Sequence, residues 1–177
     1  MTEIRAIEWA GEKLRLLDQT KLPLETAVFE AARYQDVIRA VKEMRVRGAP
    51  ALGVVAAYGV AMAAGEILAG DRGRFLDRLK EAGREIKSAR PTAVNMAWAV
   101  RRMLDLADAE PDVAAVPGRL LAEARSMQEE DEQVNRRIGR FGSEIVPDAG
   151  AVLTHCNTGA LATAGYGTAL GVIRAGW

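Results

Sequence analysis

The sequence reads as an α/β protein in two parts. Residues 1–145 form a helical N-terminal domain with a small β-hairpin, and residues 146–177 open a parallel sheet with its first β-α unit. Three observations predict this. Apolar residues recur at helical spacing through the first part, as at Val37, Ile38, Val41 and Met44. Near the N-terminus two short runs flank a glycine-containing turn, as in a hairpin. Late in the chain the apolar run Ala151-Val152-Leu153-Thr154 breaks into the small polar turn His155-Cys156-Asn157-Thr158-Gly159-Ala160. The alanine-rich segment Leu161 to Ala175 that follows reads as helix.

Taken in order, Ile4 to Trp9 and Leu14 to Asp18 are the hairpin strands, joined through Ala10-Gly11-Glu12-Lys13. Lys21-Leu22-Pro23-Leu24 is a connector. The first helix has Asp36 near its start and is broken by Arg45-Val46-Arg47-Gly48-Ala49-Pro50. Pro50 suits the first turn of the next helix, where a missing N–H costs nothing. That helix is expected to reach about Leu68 and end at Gly70. Its apolar stretch, Ala49 to Ala64, is short for a bilayer span and reads as a buried core helix. Arg74 to Lys87 is a charged amphipathic helix, and Val94 to Ala107 follows the break Ser88-Ala89-Arg90-Pro91-Thr92. After a linker, Pro111 to Gly118, Leu120 to about Phe141 is a long polar helix whose block Glu129-Glu130-Asp131-Glu132 reads as a solvated face. Gly142 to Gly150 reads as a domain boundary. A buried parallel strand needs neighbours. The sheet begun at Ala151 is therefore expected to continue past Trp177, which is then a truncation point or an unusual natural end.

Composition narrows the function. Of 177 residues, 24 are Lys or Arg and 24 are Asp or Glu, so the net charge is zero. That balance argues against nucleic acid or a membrane surface as the main partner. One cysteine cannot form an internal disulfide, and the first residues carry no apolar signal core, which together fit the cytoplasm. No His, Cys and Asp group has metal-ligand spacing, so no metal is expected. The series Gly159, Gly165, Gly167, Gly171 does not follow the dinucleotide fingerprint.

Three breaks carry the chemistry. Each places a polar residue on a loop just ahead of a helix. At Arg47-Gly48-Ala49-Pro50 the glycine lets backbone approach a ligand, the helix start offers free N–H groups, and Arg47 adds a bidentate fork. That is the design of a phosphate clamp, and it is also the design of an ordinary turn with a solvated Arg. At Arg90-Pro91-Thr92, Thr92 is placed to cap the helix, and Arg90 either faces the same pocket or is simply exposed beside a plain cap. At the third break, Cys156 is either a small buried hydrophobe or a thiol acidified at a helix N-terminus. A helix dipole contributes at most about 2 kcal/mol, and one pKa unit is about 1.4 kcal/mol. A pKa near 7 therefore needs a neighbouring Arg as well. Neutral acid and thiolate base both stay open. His155, the only histidine, reads as a structural group.

Together and in order, Arg47-Gly48-Ala49-Pro50-Ala51-Leu52-Gly53, Arg90-Pro91-Thr92-Ala93-Val94-Asn95 and Thr154 to Thr163 resemble the methylthioribose-1-phosphate isomerase family. Its superfamily also contains the regulatory subunits of translation initiation factor 2B and ribose-1,5-bisphosphate isomerase. The first motif marks the superfamily, and Cys156 to Thr163 looks most like the methylthioribose enzymes. The resemblance implies a small helical domain joined to a Rossmann-like domain, usually in a homodimer. It implies aldose-to-ketose isomerisation of 5-methylthioribose 1-phosphate in methionine salvage, on a small sugar phosphate and without a cofactor. By resemblance Arg47, Gly48, Ala49 and Arg90 hold the substrate and Cys156 is catalytic. The family's catalytic Asp and further substrate contacts, a Lys among them, would lie past Trp177. The chain alone would then be inactive unless another chain completes it. Ribose-1,5-bisphosphate isomerase and a non-catalytic regulatory subunit are the two rival activities.

Overall fold

The computed structural model describes residues 5–68 and 71–177. Ile4, at the start of the expected hairpin, and Gly70, at the expected helix end, lie outside the described residues.

The N-terminal strands pair as expected. Strand β1, Ile7–Ala10, turns through Gly11 and Glu12 into β2, Lys13–Leu17, with Trp9 opposite Leu14. A third strand, β3, Val28–Ala31, adds antiparallel to β2, giving the order β1-β2-β3. The sequence reading lacked β3, because Val28-Phe29-Glu30-Ala31 is too short to show alternation by itself. The period of two is plain on β2. Leu14 and Leu16 are fully buried, while Arg15 between them reaches Glu8 at 3.1 Å and Glu30 at 3.6 Å.

Helix α1, Tyr34–Lys42, follows directly. Asp36 marks its start physically, since its Oδ2 accepts the backbone N–H of Ala32 and of Arg33, each at 3.1 Å. The helix ends on Met44 in the left-handed region, φ 58°. The N–H of Arg45 bonds the Ala40 carbonyl and that of Met44 the Val41 carbonyl, a Schellman closure with methionine where glycine is usual. This turn sends Arg45 back to the sheet, where it pairs with the buried Asp18 and lies over the Phe29 ring, 4.7 Å from its centroid.

Helix α2, Ala49–Glu66, is the axis of the fold. Every residue from Ala51 to Ala64 is buried, and α1 packs against it along with α3 (Arg72–Ser88), α4 (Val94–Ala109) and α5 (Val116–Ser143). It is long and apolar enough to cross a membrane, but 78% of that window is buried inside the protein, as expected for a core helix. Its last helical residue is Glu66, two short of the expected end, because Ile67 turns to extended backbone. Helix α3 is capped by Asp71, which accepts the Arg74 N–H at 2.9 Å. The linker before α5 is shorter than expected, since Pro117 sits in the first turn of that helix.

The final segment departs most from expectation. Residues 151–154 form no strand. Without a neighbour to complete a ladder, an apolar run has nothing to pair with. Nor is Leu161 to Ala175 one helix. A 3-10 turn covers Ala160–Ala162, and α6 runs over Ala169–Gly176. Helix α6 packs on the C-terminal half of α5, whose Gly139 and Gly142 make the close approach possible. A Cβ at Gly139 would lie 2.7 Å from the Tyr166 ring, and one at Gly142 would lie 2.5 Å from Val172.

One relay ties sheet, core and long helix together. The Tyr58 hydroxyl donates to Gln128 Oε1 at 2.6 Å, and Gln128 Nε2 donates to the Ile7 carbonyl at 3.0 Å. Trp9 stacks on the Tyr58 ring, 5.5 Å between centroids. Burial pushes the Tyr58 phenol up to about 12. Tyr58→Phe leaves the Gln128 oxygen without its donor, and the expected cost is about 1–2 kcal/mol. Urea unfolding checks this as a lower midpoint with an unchanged slope.

Candidate active site

The first break is a working turn. Gly48 precedes α2 with φ 107°, a backbone conformation costly for a side chain. Space demands glycine as well, since a Cβ there would lie 2.4 Å from the Cα of Ala162. Arg47 and Ala49 on either side are exposed, and Pro50 occupies the first turn of α2. The Leu52 N–H bonds the Gly48 carbonyl at 3.0 Å, the first hydrogen bond of the helix. Ahead of Leu52, Pro50 has no N–H and Ala51 is buried, which leaves the N–H groups of Gly48 and Ala49, unbonded among the described residues, to face a ligand.

The second break leads into α4, whose first turn packs on α2 at Gly53. Arg90 is half-buried and its carbonyl accepts the Ala93 N–H at 2.9 Å, closing a turn. Helix α4 then starts after Ala93, so Thr92 does not cap it, and no side chain does. Asn95 in the first turn of α4 touches α2 where a Cβ on Gly53 would stand 3.3 Å away. Among the described residues neither Arg47 nor Arg90 makes an ion pair or side-chain hydrogen bond, unlike Arg45, Arg102 and Arg119 nearby in sequence.

The third break is a loop whose residues 155–157 are exposed. Cys156 is exposed and sits at φ 70°, in the left-handed region that a cysteine rarely adopts. Among the described residues the thiol does not sit in the apolar core. Cys156 is also not at a helix N-terminus, as the sequence had suggested, because α6 starts only at Ala169. His155 is exposed, with no hydrogen-bond partner among the described residues.

The loop is tied at its base. The Thr154 and Thr158 hydroxyls meet at 3.0 Å, Gly159 bridges to Gly167, and the Thr168 N–H bonds the Thr158 carbonyl at 2.9 Å. It is then tied to the helical domain at three points. Gln19 Nε2 donates to the Leu161 carbonyl at 2.8 Å, Ala162 lies against Gly48, and the Ala164 N–H donates to Asp131 Oδ2 at 2.7 Å. Gln19 is itself buried, its N–H bonding the Arg45 carbonyl at 2.9 Å. The first and third breaks are thus in direct contact, and the helix that follows the second packs near the same end of α2.

Two of these tying residues escaped the sequence reading. Gln19 sits in a polar trio, Asp18-Gln19-Thr20, at a strand exit, with no pattern to mark it. Asp131 belongs to the acidic block read as solvated, yet it is half-buried and faces the loop. Burial, with a smaller push from Glu132, outweighs its hydrogen bonds and holds its carboxyl above the usual range. The available signal was Asn135, one helical turn on, whose Nδ2 donates to the same carboxylate at 3.1 Å. Asp131 and Asn95 also line a cleft of about 230 Å³, with Pro50, Gly53, Val54 and Trp98.

Comparison with known proteins identifies the class. The model of the initiation factor 2 subunit family matches residues 45–177. The chain belongs to that family. It is 51% identical over 173 residues to a methylthioribose-1-phosphate isomerase of Desulforudis audaxviator, covering 97% of this chain and 49% of the relative. It is 49% identical over 176 residues to one of Thermoanaerobacter sp., covering 98% and 51%. The chain therefore spans about half the length of the curated relatives it matches. Among solved structures it resembles 5-methylthioribose 1-phosphate isomerase from Pyrococcus horikoshii OT3, with TM-score 0.89, 36% identity, and coverage of 98% of this chain and 49% of that one. It also resembles the translation initiation factor eIF-2B, subunit delta, from A. fulgidus, with TM-score 0.84, 42% identity, and coverage of 98% and 51%.

The Gly48–Ala162 contact admits no side-chain carbon. Gly48→Ala is expected to lift the loop off the turn, raising amide exchange across residues 160–164 by about tenfold or more while α2 stays protected. Mass-resolved hydrogen exchange on the intact protein measures both regions at once.

Proposed function

We propose that this chain supplies the thiol-bearing and phosphate-facing part of an isomerase site that converts 5-methylthioribose 1-phosphate to 5-methylthioribulose 1-phosphate, in methionine salvage. The observation that carries the reading is the seating of the Cys156 loop on the Arg47–Ala49 turn, through Gly48 and Ala162. The names of the relatives support the same activity. Residues 146–177 then begin a second, Rossmann-like domain. The catalytic Asp implied by the resemblance belongs to that domain. The protein works in the cytoplasm as a homodimer on a small sugar phosphate.

The chemistry divides as follows. Arg47 and Arg90, without side-chain partners among the described residues, suit the substrate phosphate, which accepts bidentate hydrogen bonds from guanidinium groups. The free N–H groups at the start of α2 add to the same charge. With its phosphate retained on C1, the sugar can isomerise only after its ring opens. The ring oxygen takes a proton as its bond to C1 breaks, the hydrogen on C2 is transferred to C1 as hydride or exchanged there through an enediol, and the C2 hydroxyl gives up its proton as C2 becomes the carbonyl. Cys156 serves as proton donor or acceptor at that centre, opposite the catalytic Asp.

Two substitutions test the assignment in the protein as it is encoded. Cys156→Ala is expected to lower kcat by about a hundredfold or more, the scale of acid–base catalysis, with KM little changed. Near-normal turnover would remove the thiol from the chemistry. Arg90→Ala is expected to raise KM by about ten- to a hundredfold, in line with the loss of a charged hydrogen bond. Steady-state kinetics with the sugar phosphate measures both. The likeness to the initiation factor subunit from A. fulgidus favours a second, regulatory reading. Absence of turnover in the unsubstituted protein would select it.

A further inference from the structure

We infer that Asp131 is a positioning residue, which clamps the turn around Ala164 and thereby holds the Cys156 loop in register with the Arg47–Ala49 turn. The inference rests on the isomerase reading above.

The acidic block of α5 divides its labour. Glu130 is bound by Arg102, whose Nη1 and Nη2 each approach at 2.8 Å, and Glu132 by Arg136 at 2.6 Å. Asp131, between them, turns toward the loop and spends one oxygen on the Ala164 N–H at 2.7 Å. Asn135, only 2% exposed, fixes the orientation of that carboxylate. Its Nδ2 donates both to Asp131 Oδ2 at 3.1 Å and to the Asp131 carbonyl at 2.8 Å. A side chain serving packing alone would not carry the desolvation cost of a half-buried carboxylate. A charged acceptor aimed at one backbone N–H is a short, directional tie.

What it ties leads to the thiol. Leu161, Ala162 and Ala164 are each held by a different element: the strand exit at Gln19, the turn at Gly48, and α5 at Asp131. Thr163, fully buried between them, folds its hydroxyl back onto the Gly165 carbonyl at 2.8 Å. From there the Gly159–Gly167 bridge and the Thr154–Thr158 pair lead to Cys156. Releasing Ala164 frees the far end of that run, and a catalytic group displaced by about 1 Å can lose about a hundredfold in rate.

The experiment compares Asp131→Ala and Asp131→Asn in the protein as it is encoded, by steady-state kinetics, thermal unfolding and amide exchange. Asp131→Ala is expected to lower kcat by about ten- to a hundredfold with KM within about threefold, and to speed exchange at residues 162–165 while α2 stays protected. Asp131→Asn keeps an oxygen that accepts the Ala164 N–H, so it is expected to return kcat to within about threefold of the parent. Unchanged kcat in Asp131→Ala overturns the inference. So does a loss of kcat that follows unfolding and is not rescued by Asn. If the unsubstituted protein turns over no sugar phosphate, it is the isomerase reading that fails. The exchange result then decides the clamp alone, and unaltered exchange at residues 162–165 overturns that too.

Discussion

A helix buried on every side governs this molecule. From Ala51 to Ala64, α2 exposes almost nothing to solvent, and four other helices pack on it. Such a helix cannot present a polar stripe, so its neighbours must approach from all directions. Small residues make that approach close. Beside Gly59, Val37 of α1 and Ile86 of α3 come within 3.2 and 3.3 Å of where a Cβ would stand, and Asn95 of α4 comes equally near Gly53. The helix begins at the turn proposed above to face the substrate phosphate. Its N-terminus emerges from the core at Gly48, flanked by Arg47 and Ala49, and carries unpaired N–H groups there. The rigidity of the core is thereby handed to the turn.

The turn acquires a partner from far along the chain. Ala162 rests on Gly48, Gln19 bonds Leu161 across 142 positions, and Asp131 holds Ala164. Loops that carry function are set by the scaffold beneath them. Here the scaffold is the strand exit, the start of α2 and the middle of α5, three elements that meet only in the folded protein. Cys156 stands beyond these ties on an exposed loop, its backbone in the left-handed region. Strain of that kind persists where the surroundings over-determine it. The hydroxyl pair of Thr154 and Thr158 and the bridge of Gly159 to Gly167 are those surroundings.

Much of the helical domain was legible because helix period, caps and breakers are local. The expected helices of that domain, up to the long polar one, are present within a few residues, Asp36 and Pro50 stand where their chemistry places them, and the long apolar stretch is the core helix. What failed was non-local. Strand β3 depends on its pairing with β2, and four residues carry too little alternation to announce it. The run at 151–154 has strand composition, but a strand exists only through a ladder. Thr92 has the chemistry of a cap and yet stands one position too early, because the Arg90–Ala93 turn delays the helix. Asp131 looked like its solvated neighbours, since the sequence does not show which side of α5 receives the loop.

Residue identity alone determined the three breaks, their glycine and arginine content, and the resemblance they carry, because these are properties of short runs read in order. Tertiary structure alone decided that Gly48 meets Ala162, that Gln19 reaches Leu161, and that one carboxylate of four turns inward. Each of these is a contact between segments more than thirty residues apart or a consequence of one, and hydrophobic period constrains only what lies within a turn or two of itself.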